Sequence, residues 1–374
     1  MTDHLITDHG ADPDTDCTTA IAKAIAACET GGRVVVPAGT YLTGPIRLRS
    51  NVELHVSAGA TLRFLTEPAA YPIVRTRWQG IECFSHSPLI YAYDEVNVAI
   101  TGTGTLDGGA GVDNWWRNTR PGGDWQRLLQ MVEDDVPVED RVFEPGHGFR
   151  PSFIQPHTCH RIRIEDVRIV NAPMWVVHPV FCTDVLVRGI TVDSRGPNND
   201  GCNPDSCKDV VITGCSFSTG DDCIAIKSGR DADGRRVARP SQNILIESCR
   251  FTAGHGALTI GSETSGGIHN VHARALHVTG SAVDHAIRIK TNSHRGGRIE
   301  HVTVEDTVVD AVTTSAVLIT TKHADPEQSG GHPPVVRDVT ITNLQVRSAP
   351  KTLEVDDSAQ APVQNLSFTT TETW

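Results

Sequence analysis

One short phrase recurs along this chain and constrains its fold more than any other feature. An apolar pair at alternate positions is followed by two polar or small residues, a spacer and a further apolar residue. It reads IRIEDVRIV from Ile162, VLVRGITV from Val185, VVITGCSF from Val210 and ILIESCRF from Ile244. Looser copies are VHARALHV from Val271, VTVEDTVV from Val302, VTITNLQV from Val339 and LSFTT from Leu366. The first three starts lie 23 and 25 residues apart, and later intervals lengthen around polar or Gly-rich inserts such as GRDADGRRVARP. Alternation within each phrase is strand periodicity. A period of roughly 20–25 residues holding several short strands predicts stacked coils, each covering its neighbour. The expected fold is all-β, a β-helix (solenoid) in which residues at equal offsets form ladders about 4.8 Å apart.

The cysteines obey the same spacing. Cys159, Cys182 and Cys207 each stand three residues before a phrase start and should stack on successive coils. Cys215 and Cys249 occupy the slot that Val167 and Ile190 hold, so they replace core aliphatics. The ten cysteines include no CxxC pair, and Cys202 and Cys207 have no His cluster nearby, so they read as small buried hydrophobes and not as zinc ligands.

The N-terminal DCTTAIAKAIAACE breaks the coil pattern. Asp16 is a candidate N-cap and Ile21 and Ile25 lie one turn apart, predicting a short capping helix within about residues 14–30. Residues from about 108 to 149, with three Trp, read as an inserted excursion over one face, and the whole of 1–374 as a single β-helix domain. A formal net charge of −12 argues against nucleic acid as a partner. No run of 18 apolar residues occurs, so no membrane partner is expected, and the oligomeric state is left open.

Register then turns scattered charges into a group. Asp221 lies eleven residues after Val210 and His255 eleven after Ile244, so the two should be neighbours on adjacent coils. Asp200 stands 21 residues before Asp221, about one coil back. Matching Ile289 to Ile260 and Ile226 brings Arg288 and Lys290 beside the His255 coil, with Ile287 and Ile289 on the opposite face. Six ionisable groups should converge: Asp200, Asp221, Asp222, His255, Arg288 and Lys290. Crowded carboxylates push one another's pKa values apart, which lets one act as an acid while another acts on water or sugar, as glycoside hydrolysis requires. Taken singly, NNDG is a turn, DD a solvated surface pair and Arg288 with Lys290 an exposed strand face; their shared register favours a site.

At these residues the chain resembles glycoside hydrolase family 28, the polygalacturonases and their relatives. The resemblance covers nearly the whole chain, from GGRVVVPAGTYLTGPIRLRSNVELHVSAGATL through RPSFIQPHTC and APMWVVHPVFC. Four family motifs follow in order: Asn198-Asn199-Asp200, with Asn in place of the family's Thr, then Gly220-Asp221-Asp222, Gly254-His255-Gly256 and Arg288-Ile289-Lys290. The resemblance implies a right-handed parallel β-helix and an inverting hydrolysis of α-1,4-galacturonosidic bonds, with no metal and no cofactor. It implies Asp221 as the general acid, Asp200 and Asp222 as holders of the attacking water, and His255 as support for the acid. It further implies that Arg288 and Lys290 grip a galacturonate carboxylate, with Asn198, His178 and Lys227 as further substrate contacts. The family often carries a substrate-contacting Tyr after the Arg-Ile-Lys element. Here all four tyrosines lie at or before Tyr93, and Lys322 or His323 stands in that region.

The expected substrate is an acidic oligo- or polysaccharide built of galacturonate. The acid and base should be separated by roughly 6.5–9.5 Å, as in inverting enzymes. With an acidic, polar N-terminus, the chain is expected in the cytoplasm, trimming short oligogalacturonides from one end, with the Trp-rich insert either closing one end of the groove or only covering coil surface. Removal of a leader would instead imply secretion. The alternatives are a rhamnogalacturonan or other substituted-pectin hydrolase, a calcium-dependent pectate lyase, and a non-catalytic glycan-binding β-helix.

Overall fold

Branched aliphatics at alternate positions have one economical arrangement when the motif repeats: each side chain stacks on its counterpart in the next coil. The computed structural model, which describes residues 2–118 and 122–371, is built this way. It divides into two compact units, residues 2–78 with 82–199, and residues 79–81 with 200–371.

In the first unit three parallel ladders line the interior. Val34, Leu54, Ile100, Ile164 and Val187 pair in succession on one face. Tyr41, Leu62, Leu106, Ile169 and Val192 do so on a second, and Ile46, Ile90, Ile154 and Val177 on a third. All of these residues are buried. Helix α1 (Thr18–Ala27) packs on the first strands of this unit and buries Ala20, Ile21, Ala24 and Ile25. It is shorter than the expected span, and its N-cap is Cys17, with no side-chain capping bond, instead of the expected Asp16, which stands one residue earlier and accepts the Thr18 N–H at 2.9 Å. Between the strands Thr105–Asp107 and Ile154–His157 the chain leaves the coil pattern and forms α2 (Gly123–Glu133). There Trp78 packs on Phe149 and Trp125, with ring centroids 4.5 and 5.3 Å away.

The second unit repeats the construction. Ile212, Ile246, Ala273, Val304, Ile341 and Phe368 form one ladder. Phe217, Phe251, Val278, Val309 and Val346 form another, and Ile226, Ile260, Ile289, Ile319 and Val355 a third. Phrase starts aligned by sequence are register partners within each unit: Ile162 with Val185, then Val210, Ile244, Val271, Val302, Val339 and Leu366 in sequence. Each start in this second unit is preceded by a residue in the left-handed region: Asp209, Asn243, Asn270, His301, Asp338 and Asn365. Asn and Asp tolerate that conformation, and their side chains bond along the stack, as from Asn243 to Asp209 at 2.8 Å. The coils wind right-handed, the hand that parallel crossovers adopt. All ten cysteines are buried free thiols. No helix among the described residues is long and apolar enough to cross a membrane.

Candidate active site

Where the aliphatic ladders of the second unit end, successive coils carry charge. Asp221 and Asp222 follow the strand Ser216–Thr219. The His255 N–H donates to the Asp221 carbonyl at 3.1 Å, so the equal offsets do place these residues on adjacent coils. Ile226, Ile260 and Ile289 share a register position, which sets Arg288 beside Thr259 and Lys290 beside Gly261. Asp200 lies one coil away, as its spacing indicates. The Gly201 N–H donates to the Asp222 carbonyl at 3.0 Å and Cys202 bridges Ile224, so Asp200 stacks on Asp222 and not on Asp221.

Close packing explains the Gly-His-Gly motif. A Cβ at Gly256 would lie 2.1 Å from Thr259 Oγ1 and 3.0 Å from Asp222 Oδ1. At Gly254, whose φ is +150°, it would lie 2.7 Å from the Asp221 carbonyl oxygen.

One oxygen from each of Asp200, Asp221 and Asp222 lies within 4.8 Å of the other two. The wide separation expected of the acid and base is therefore not found. Asp221 and Asp222 are consecutive in one coil and Asp200 stacks on Asp222 from the next, so the carboxylates gather around one point. Asp222 is fully buried, with Lys290 Nζ 2.7 Å from Oδ2 and Arg288 Nη1 3.4 Å from Oδ1. Asp200 is buried too. Its Oδ2 accepts from Asn203 Nδ2 at 3.0 Å and lies 3.4 Å from Lys227 Nζ. Asp221 faces a half-exposed His255, with Nδ1 3.3 Å from Oδ1.

These surroundings distribute protons unequally. Burial, reinforced by the Asp221 charge, raises the Asp200 pKa well above the usual carboxylate range. Burial also pushes Asp221 upward, but the His255 hydrogen bond and the charges of Lys290, His255 and Lys227 prevail and bring it to about 2. The same hydrogen bond raises His255. The substrate-free cluster thus favours a proton on Asp200 and an Asp221–His255 ion pair. Three carboxylates could surround a divalent cation, but the ammonium groups of Lys227 and Lys290 already occupy that electrostatic role.

The remaining expected contacts are all engaged within their own units. His178, in the first unit, is fully buried, and its Nδ1 meets Ser152 Oγ at 3.0 Å and Gln155 Nε2 at 2.9 Å. Asn198, also in the first unit, accepts from Arg150 Nη2 at 2.7 Å. Lys227 is buried between Asp200 and Glu263, a place from which it sets charge but does not meet solvent. Lys322 is drawn to Asp356 at 2.8 Å. His323 is the one that feels the cationic strand: burial, then the Lys290 and Arg288 charges, lowers its pKa to about 4.

Sequence reasoning passed over Asn203, Arg230 and Glu263. Glu263 lies in GSETSGG, which reads as a polar turn yet is buried. The available signal was Lys227 itself, a charge at the end of the apolar strand Ile224–Ile226 that demands a buried partner.

Residues 138–371 match the family model described as glycosyl hydrolases family 28. A probable polygalacturonase of Vitis vinifera is 32% identical over 74% of this chain and 53% of its own length, so this chain spans about half of that relative. An endo-polygalacturonase of Pectobacterium carotovorum subsp. carotovorum is 28% identical over 96% of this chain and 85% of its own. Among solved structures, a hyperthermoactive exopolygalacturonase from Thermotoga maritima superposes with a TM-score of 0.94 at 42% identity, covering 97% of this chain and 85% of that one.

Proposed function

The chain belongs to glycosyl hydrolases family 28, and from that premise we propose that it hydrolyses α-1,4-galacturonosidic bonds in pectin-derived galacturonate chains, removing residues from a chain end. The observation that carries this is the convergence of Asp200, Asp221 and Asp222 within 4.8 Å against a strand bearing Arg288 and Lys290. An acidic protein repels a polyanion at long range, so local cations must supply the binding. The 42% identity with an exopolygalacturonase supports the exo mode.

The free site holds its proton on Asp200. The His255 hydrogen bond and then the Lys290 charge keep Asp221 low, so a galacturonate carboxylate that pairs with Lys290 offsets part of that field and raises the proton affinity of Asp221. Transfer of the Asp200 proton to Asp221 then arms both roles. Asp221 protonates the leaving glycosidic oxygen as its bond to C1 breaks. Asp200 and Asp222, now both anions, orient a water whose oxygen bonds to C1 from the opposite face, and one of them takes its proton. The anomeric configuration inverts. The short carboxylate separation would suit a covalent route under the usual spacing rule. Against that route, both Asp222 oxygens are committed to cations, which weakens the group as a nucleophile.

A time course on a defined galacturonate hexamer, followed by NMR, tests this reading. Monogalacturonate should dominate early, released as the β-anomer. An α-anomer would overturn inversion, and early dimers, trimers and longer fragments would overturn the exo mode. A calcium-dependent unsaturated product would identify a lyase. We propose the cytoplasm as the site of action: ten buried free thiols suit a reducing compartment, and fractionation of the native cells checks it.

A further inference from the structure

Beneath the carboxylate cluster lies a second set of buried charges that the hydrolysis itself does not use. Glu263 is buried, with Oε2 2.9 Å from Lys227 Nζ and Oε1 3.0 Å from Arg230 Nη2. Ser262 Oγ also donates to Oε1 at 3.3 Å. The turn 79–81 closes over this group. Its Gly80 carbonyl accepts the Arg230 N–H at 3.0 Å, and Gln79 Oε1 accepts from Arg230 Nη1 at 3.3 Å. A Cβ at Gly80 would stand 2.9 Å from Glu263 Cγ, so the turn has no room for a side chain at this position.

Lys227 is therefore shared. Its ammonium is 2.9 Å from Glu263, 3.4 Å from Asp200 and 3.5 Å from the Gly261 carbonyl. The shorter contact is to the group outside the catalytic cluster. We infer that Glu263 is a positioning residue that draws the Lys227 ammonium away from Asp200 and so sets the pH range in which the site works. This rests on the role proposed for Asp200 above.

The charges around both ends agree. Asp200 is faced by Asp221 and Asp222, which oppose its ionisation, and by Lys227 and Lys290, which favour it. Glu263 is faced by Lys227, Arg230 and Arg295, which together overcome its burial and hold it well below the ordinary range. Arg295 is itself tied to Asp231 at 2.5 Å. Loss of the Glu263 charge removes one anion from the neighbourhood of Asp200 and frees an ammonium to approach it. Both changes make Asp200 ionise more readily.

The experiment compares Glu263→Gln, Glu263→Asp and Arg230→Gln with the native chain. It reads the pH profile of kcat/KM on oligogalacturonate and the ¹³C carboxyl titration of Asp200, assigned by its loss in Asp200→Asn. Glu263→Gln should move the Asp200 titration, and the limb of the profile that follows it, down by ~1 pH unit or more. Glu263→Asp keeps the charge and should restore the native profile. Arg230→Gln removes the cation that shares Glu263 with Lys227 and should move the titration upward, so a failure of Glu263→Gln to fold still leaves a signed result. An unmoved titration with only a lower Tm overturns the inference, as does an equal shift in Glu263→Asp or a downward shift in Arg230→Gln. A moved titration in a protein that cleaves no oligogalacturonate sinks the proposed function and spares the positioning role.

Discussion

Asn199 and Asp200 follow one another in the chain, and both side chains are out of water. The Asn199 amide is fully engaged: Oδ1 accepts from Ser194 Oγ at 2.6 Å and the Gly196 N–H at 2.9 Å, and Nδ2 donates to the carbonyls of Ala172 and Met174 at 3.1 and 3.2 Å. Every partner is neutral, and the bonds tie a nearby hydroxyl and N–H to two carbonyls 25 and 27 residues back in the chain. Asp200 has one amide donor and a shared ammonium, with two other carboxylates close by. A satisfied neutral group buried in this way holds a coil in place. A buried carboxylate whose pairing is incomplete keeps two protonation states within reach, which is what proton transfer needs.

The largest effect should come from removing the acid. Asp221→Asn keeps the shape beside His255 but cannot deliver a proton, so kcat should fall by at least ~10²–10⁴-fold. Reducing-sugar release above a tenth of the native rate would remove Asp221 from that role and dissolve the contrast between chemical and structural groups.

Lys290→Ala comes next. It strips the 2.7 Å partner from buried Asp222 and the expected grip on galacturonate. Affinity for galacturonate should weaken about tenfold or more, with a smaller loss on methyl-esterified substrate. Equal losses on both substrates would make Lys290 a partner of Asp222 alone.

The neighbouring pair divides between stability and activity, and its stability changes are the smallest effects expected. Asn199→Ala should cost ~1–3 kcal/mol of stability by leaving buried groups unpaired, while the folded fraction keeps near-native activity. Asp200→Asn should do the reverse. The folded Asp200 pKa lies above its ordinary 3.8, so its contribution to stability is fully present below that value and is lost as pH rises through the folded pKa. An amide stays neutral throughout. The Tm of Asp200→Asn relative to the native chain should therefore climb with pH as activity is lost. A relative Tm that fell with pH would place the proton elsewhere.

Much of this was legible before any coordinates. Val210, Ile244, Val271, Val302, Val339 and Leu366 announce their stacking because each repeats the same alternation. His255 could be set beside Asp221 because both share an offset from a phrase start. The spacing of Asp200 puts it about one coil from Asp221, but its exact partner, Asp222, is counted through Cys202 and Ile224, which carry no repeated phrase. His178 and Lys227 looked like sugar contacts, and their burial could not be seen, because exposure depends on what covers a residue and not on its own spacing. Glu263 was invisible for a related reason: Gly, Ser and Thr around it mimic an exposed turn.

The sequence by itself determined a stack of parallel coils, because branched aliphatics alternating at a near-constant period can be buried together only against their own repeats. It also determined which ionisable residues share a register. Only the tertiary structure decided how protons and charges are divided among them. The field at a buried carboxylate sums over groups drawn from separate coils, such as Lys227, Glu263 and Lys290, and a change of an ångström in their spacing alters which carboxylate holds the proton.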